Sequence, residues 1–183
     1  EEDAQLAAAG GSEAGVYGEM TVVGFRSLAK RIALCADDVY LDVGSGLGRT
    51  VFQAAQEFGV MRSVGVELAG SRHELAEAAL LQQPPDVAAR VILVHGDCCA
   101  AELWEQPAPA EGGAQHDGQS GSGGRADASA PCASATAVFA ASLFFGDALM
   151  ARLKERVAGC RTCRVVATLQ RWEEAPAGFV EED

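Results

Sequence analysis

Val39-Tyr40-Leu41-Asp42-Val43 runs straight into Gly44-Ser45-Gly46-Leu47-Gly48, and Arg49-Thr50-Val51 follows at once. The first five residues read as a short buried strand and the glycines as a sharp turn. Beyond the turn, Val51, Ala55 and Phe58 recur on one face of a helix. A strand, a glycine turn and a helix in that order put the turn at the carboxyl end of a strand, where open α/β sheets hold their ligands. Glycine there lets the backbone bend and approach a ligand with no Cβ in the way. The spacing is G-x-G-x-G, with Arg49 standing where a dinucleotide loop of the form G-x-G-x-x-G would carry its third glycine. An acid, Asp42, leads into the loop, which suits a ligand bearing positive charge better than a diphosphate.

The same alternation extends outward. Upstream, Val22, Phe25, Ala29 and Ile32 fall at helical spacing, and Asp37-Asp38 ends that helix. Downstream, Ser63–Glu67 reads as a second strand and Arg72–Gln82 as a helix stopped by Pro84-Pro85. Arg90–Val94 is a third strand closed by Gly96-Asp97, Ala137–Ala141 a fourth, Ala148–Val157 a helix, and Arg164–Leu169 a fifth strand. Strands alternating with helices predict an α/β, Rossmann-like fold: a mostly parallel sheet with helices on both faces. From Gln106 to Ala137 there is no Val, Ile, Leu, Met, Phe, Trp or Tyr, so a low-complexity, disordered insertion is expected over 105–135. The expected organisation is an acidic N-terminal tail over 1–15, one domain over 16–172 and an acidic C-terminal tail over 173–183.

Composition narrows the function classes. A formal net charge of −12 argues against strong direct nucleic-acid binding, which needs clustered Lys and Arg. Of six cysteines, Cys160 and Cys163 form one C-x-x-C, half of a structural zinc set. The scattered His73, His95 and His116 do not complete it, so no metal is expected and the thiols are read as reduced. The apolar stretch around Ala137–Phe145 is too short to span a bilayer, and no signal-like segment follows Glu1. A soluble monomer is expected, cut from a longer protein since the chain lacks an initiator Met.

Two further acids sit in register with Asp42. Glu67 ends the second strand, 19 positions past Gly48, and Asp97 follows the third. Each alone is an ordinary strand-end acid. Together with the glycine loop they predict S-adenosylmethionine, whose ammonium would go to Asp42, ribose hydroxyls to Glu67 and adenine amino group to Asp97. A carboxylate that only meets ribose holds no core together, so Glu67→Ala is expected to weaken binding without unfolding the chain.

Val16-Tyr17-Gly18-Glu19-Met20, the helix after it, Asp38–Arg49, Val64-Gly65-Val66-Glu67, Gly96-Asp97, Trp104, Phe145-Gly146, Leu153-Lys154-Glu155-Arg156 and Arg164-Val165-Val166-Ala167 together resemble the disruptor-of-telomeric-silencing family. These are non-SET lysine methyltransferases acting on the folded core of histone H3. The resemblance implies a class I methyltransferase in the nucleus that modifies a protein substrate, a nucleosomal histone. It places the cofactor-closing loop on Tyr17, Gly18, Glu19 and Met20, and the glycine loop on Asp42, Val43, Gly44, Ser45, Gly46, Gly48 and Arg49. The ribose acid falls on Glu67, and the adenine edge on Asp97 and Cys98.

This sequence departs from that pattern. Cys98 stands where the family carries Phe, and Ala141-Ser142-Leu143 where it carries Asn-Asn-Phe. Ser142 is then the one polar group left to orient an incoming amine, with Tyr17 beside the methyl, and weak nucleosome methylation is expected. A C-terminal hairpin, which the resemblance would bring, is expected to be lacking here. The alternatives are a class I methyltransferase of a non-histone protein or small molecule, in the cytoplasm, and a non-catalytic cofactor-binding module. Arg26, Lys30 and Arg31, and the later group Arg152, Lys154, Arg156, Arg161, Arg164 and Arg171, are read as solvated helix faces in preference to a nucleosome-facing patch.

Overall fold

The computed structural model of the protein describes residues 20–105 and 130–182. Tyr17, Gly18 and Glu19, the tail over 1–15 and the stretch 106–129 of the expected insertion lie outside the described residues.

The elements run α1 (Val22–Arg31), β1 (Val39–Val43), α2 (Arg49–Gln53, continued by a π turn over Ala54–Phe58), β2 (Arg62–Glu67), α3 (Gly70–Leu80), α4 (Pro85–Ala88), β3 (Val91–His95), α5 (Ala101–Trp104), β4 (Ala137–Ala140), a 3-10 turn (Ser142–Phe144), α6 (Asp147–Gly159) and β5 (Val165–Thr168). The strands form one sheet in the order β3-β2-β1-β4-β5, with every pairing parallel. The Rossmann-like α/β expectation is met, and among the described residues no strand follows β5. Strand order reverses between β1 and β4, so the crevice for a ligand opens at their carboxyl ends.

Alternation along β1 sorts the two faces. Val39, Leu41 and Val43 join Val64, Val66, Val138 and Ala140 in a core covered by Leu149, Leu153 and Val157 of α6 and by Trp104 of α5. Tyr40 faces the other way, into a cluster with Phe25 and Ala29 of α1, its ring edge-on to Phe25 at 5.4 Å. Gly65 on β2 leaves room for α2 on that same face. A Cβ there would meet Ser45 Oγ at 2.8 Å and Val51 Cγ2 at 2.9 Å. Gly65→Ala is therefore expected to lower stability by about 2 kcal/mol through overpacking, measured by urea denaturation.

Asp38, read from sequence as a helix breaker, organises the opposite edge of the sheet. Its carboxylate accepts from Arg164 Nε at 2.9 Å and Nη2 at 2.6 Å, from the Thr136 hydroxyl at 2.7 Å and from Cys35 N–H at 2.9 Å. Arg164 also donates to the carbonyls of Ile32 and Ala33, closing the end of α1. Burial pushes the Asp38 carboxyl up, but Arg164, Thr136 and Cys35 outweigh it and hold it down to about 2. A value depressed below the unfolded one gives stability that is complete above about pH 4. That stability is lost as the pH falls through about 2. Asp38→Asn is expected to flatten this acid limb in denaturation curves taken between the two values.

Two sequence expectations are corrected at the edges of the domain. Packing resumes at Ala130 inside the expected insertion: Cys132 and Ala135 are fully buried, and Cys132 N–H donates to Leu103 O at 2.8 Å. The stretch expected as an acidic tail over 173–183 also packs. Pro176 is buried, Phe179 lies against the α6 core, and Trp172 just before them donates from Nε1 to Met150 O at 3.0 Å. Among the described residues no helix is long and apolar enough to cross a membrane.

Candidate functional site

The loop after β1 is built from its own strand neighbours. Gly44, Gly46 and Gly48 all have positive φ, at 76°, 54° and 76°, which side-chain-bearing residues rarely adopt. Gly44 N–H and Ser45 N–H both donate to Val66 O on β2, at 2.9 and 3.0 Å. Gly46 N–H donates to Glu67 Oε2 at 2.8 Å. These three amides, which a phosphate-binding loop would offer to an anion, are engaged with β2. Gly44 itself is exposed between buried Val43 and buried Ser45. The loop thus shows a ligand bare backbone beside carboxylates.

Asp42 is 3% exposed and receives the Thr50 hydroxyl on Oδ2. Its Oδ1 is buried with no hydrogen-bond partner among the described residues. Burial, and then the charge of Glu67, push its carboxyl up to about 7, with the Thr50 bond opposing. A buried carboxylate oxygen without a donor has the chemistry to receive an ammonium group.

Glu67 departs from the sequence expectation. It is 4% exposed, and besides Gly46 it accepts Ala69 N–H on Oε1 at 2.7 Å, with Arg72 at 3.8 Å. It pins the glycine loop to the start of α3, so its loss is expected to cost stability as well as binding. Gly96 N–H donates to Glu67 O at 2.9 Å, which brings the end of β3 alongside. There Asp97 accepts Cys99 N–H on Oδ1 at 2.9 Å and Arg152 Nη2 on Oδ2 at 2.6 Å. The carbonyl of Cys98 accepts Trp104 Nε1 at 2.7 Å.

The structure therefore gathers Asp42, Glu67, Asp97, Cys98 and the loop Val43–Gly48 at adjacent strand ends, leaving Arg49 exposed at the start of α2. Met20 packs against the Phe25 cluster. Ser142 is fully buried, and its Oγ accepts Gln170 N–H at 2.8 Å. Ser142, expected to orient an amine, uses its hydroxyl oxygen to tie the exit of β4 to the exit of β5, and the exposed neighbour is the apolar Leu143. His95 meets Leu68 O at 3.1 Å and stacks on His73 with ring centroids 5.3 Å apart. Most of the late arginines are exposed, as a solvated face would have them, and four of them are ion-paired. Arg152 pairs with Asp97, Arg156 with Glu105, Arg164 with Asp38 and Arg171 with Glu181. Sequence reasoning missed Arg152 at the site, and the sole signal for it was its place one turn into the helix after β4.

Residues 5–83 match the family described as Histone methylation protein DOT1. A Kluyveromyces lactis protein named histone-lysine N-methyltransferase, H3 lysine-79 specific, is 37% identical over 65 residues, which is 36% of this chain and 11% of that protein. A Drosophila melanogaster protein of the same name is 32% identical over 62 residues, 34% of this chain and 3% of that protein. An RNA methyltransferase from Salinibacter ruber, solved with S-adenosyl-L-homocysteine, superposes with a TM-score of 0.46 at 22% identity, covering 68% of this chain and 60% of that one. The chain spans a small fraction of the length of the curated relatives it matches. Over residues 5–83 the chain is similar to the histone methylation protein DOT1 family.

Proposed function

We propose that this chain is the cofactor-binding part of an S-adenosylmethionine-dependent protein lysine methyltransferase whose substrate is a nucleosomal histone, working in the nucleus. The observation that carries the reading is the pairing of an amide-engaged glycine loop with the orphaned Oδ1 of Asp42. The kinship over residues 5–83 supplies the substrate class.

In this reading Asp42 receives the ammonium of the methionine end, Gly44 lets that end approach the backbone, Glu67 accepts from ribose and Asp97 from the adenine amino group. Bound S-adenosylmethionine supplies an electrophilic methyl on a sulfonium. The chain's own work is to align that methyl with an incoming neutral amine and to exclude water. Tyr17, Gly18 and Glu19 are proposed to close over the methionine end.

Isothermal calorimetry tests the first half: S-adenosylmethionine is expected to bind and NAD to give no heat. Binding of NAD alone would overturn it. Tritiated cofactor offered with nucleosomes, free histones and cell lysate tests the second half. Label on nucleosomes supports the histone substrate, whereas label on another protein or none with cofactor bound would replace it.

A further inference from the structure

Cys98 and Cys99 follow Asp97 at the end of β3, and no role in the reading above uses their thiols. Their Sγ atoms lie 3.9 Å apart, and one oxygen of Asp97 lies within 4.8 Å of both. Two thiolates held about 2.3 Å from a tetrahedral ion are separated by about 3.8 Å. The spacing is that of a chelate before any ion arrives.

We propose that Asp97, Cys98 and Cys99 form a binding site for one thiophilic divalent cation of zinc's size, and that its occupancy withdraws Asp97 from adenine. The second clause rests on the cofactor reading; the first does not. Three protein ligands leave a fourth position open. Asp97 already accepts Cys99 N–H and Arg152, but a carboxylate has about four lone-pair sites, so ligation and these bonds coexist. Such outer bonds orient a ligating carboxylate. Two thiolates, a carboxylate and a divalent ion leave one negative charge. Arg152, on Asp97 at 2.6 Å, and Arg156, on Cys99 O at 3.0 Å, offset it. Soft sulfur donors select zinc-like ions over magnesium or calcium. The C-x-x-C pair contributes nothing here: Cys160 Sγ faces the backbone carbonyls of Cys132, Ala133 and Ala135, and Cys163 Sγ that of Val165.

The test is anaerobic titration of the reduced full chain with Co²⁺, followed by zinc competition. One equivalent is expected to give a thiolate-to-cobalt charge-transfer band that zinc removes. Cys98→Ser should weaken binding by at least about tenfold, with unchanged circular dichroism. The double variant Cys160→Ser with Cys163→Ser should keep the band. No band in the unmodified chain, an unchanged cobalt affinity in Cys98→Ser, or loss of the band in the double variant would each overturn the site. Calorimetry of S-adenosylmethionine with and without bound zinc reads the second clause: at least tenfold weaker binding to the zinc form supports it, and equal affinity overturns it. Failure of the metal-free chain to bind S-adenosylmethionine would overturn the cofactor reading and the second clause with it, while the cobalt result stands.

Discussion

Glu67→Ala is expected to lose stability by about 3–5 kcal/mol and cofactor affinity by about tenfold to a hundredfold. The stability loss follows from Gly46 N–H and Ala69 N–H, two buried donors that lose a charged acceptor together. A loss of that size is a large part of the roughly 5–15 kcal/mol that holds a domain folded. Glu67→Gln should fall between, since an amide presents one oxygen and turns its NH₂ toward the other donor. Urea denaturation reads the stability order and calorimetry the affinity. An alanine variant as stable as the unmodified chain would mean that the loop is held by something other than this carboxylate. If instead Glu67→Gln binds S-adenosylmethionine normally, Glu67 is purely a structural pin and ribose lies elsewhere.

The second large effect concerns Asp42. Its carboxyl in the folded chain sits near 7, above the unfolded value. A raised value means that the stability tied to the protonated form is complete below about pH 4. That stability is lost as the pH rises through about 7. The cofactor-free chain is therefore expected to weaken between these limits, and Asp42→Asn to be more stable than the unmodified chain at pH 8 by roughly 2 kcal/mol. Binding should run the other way. An ammonium group needs the ionised carboxylate, so affinity should climb with pH up to about 7, by at most tenfold per unit. Asp42→Asn should bind poorly throughout. Thermal denaturation and calorimetry across this range check both trends. A pH-independent affinity in the unmodified chain would show that Asp42 does not meet the cation.

The sheet was legible because its signals are local. Each strand is a short apolar run, β1 and β3 are ended by Gly, and Arg62–Glu67 and Val91–His95 fall within a residue of where the pattern puts them. Gly44–Gly48 was legible because the spacing of glycines reports backbone shape directly. What could not be read was the pairing of distant side chains. Asp38 and Arg164 are 126 positions apart, Asp97 and Arg152 are 55, and no periodicity joins either pair. The short α5 has too few residues to show a helical period, and its Trp104 is buried by the fold around it. Phe179 was hidden by its acidic surroundings, although an aromatic residue in a charged tail is itself a hint of packing.

The hydrogen bond from Trp104 Nε1 to Cys98 O places an indole on the backbone of the residue beside Asp97. The chain has two tryptophans, and the other, Trp172, is bonded to Met150 of α6. Trp172→Phe would leave Trp104 as the sole tryptophan, its emission, excited selectively over the tyrosines, set by a carbonyl at the lip of the crevice. Ligand arrival at the end of β3 would then register as a change in ultraviolet emission, without any dye attached to the protein.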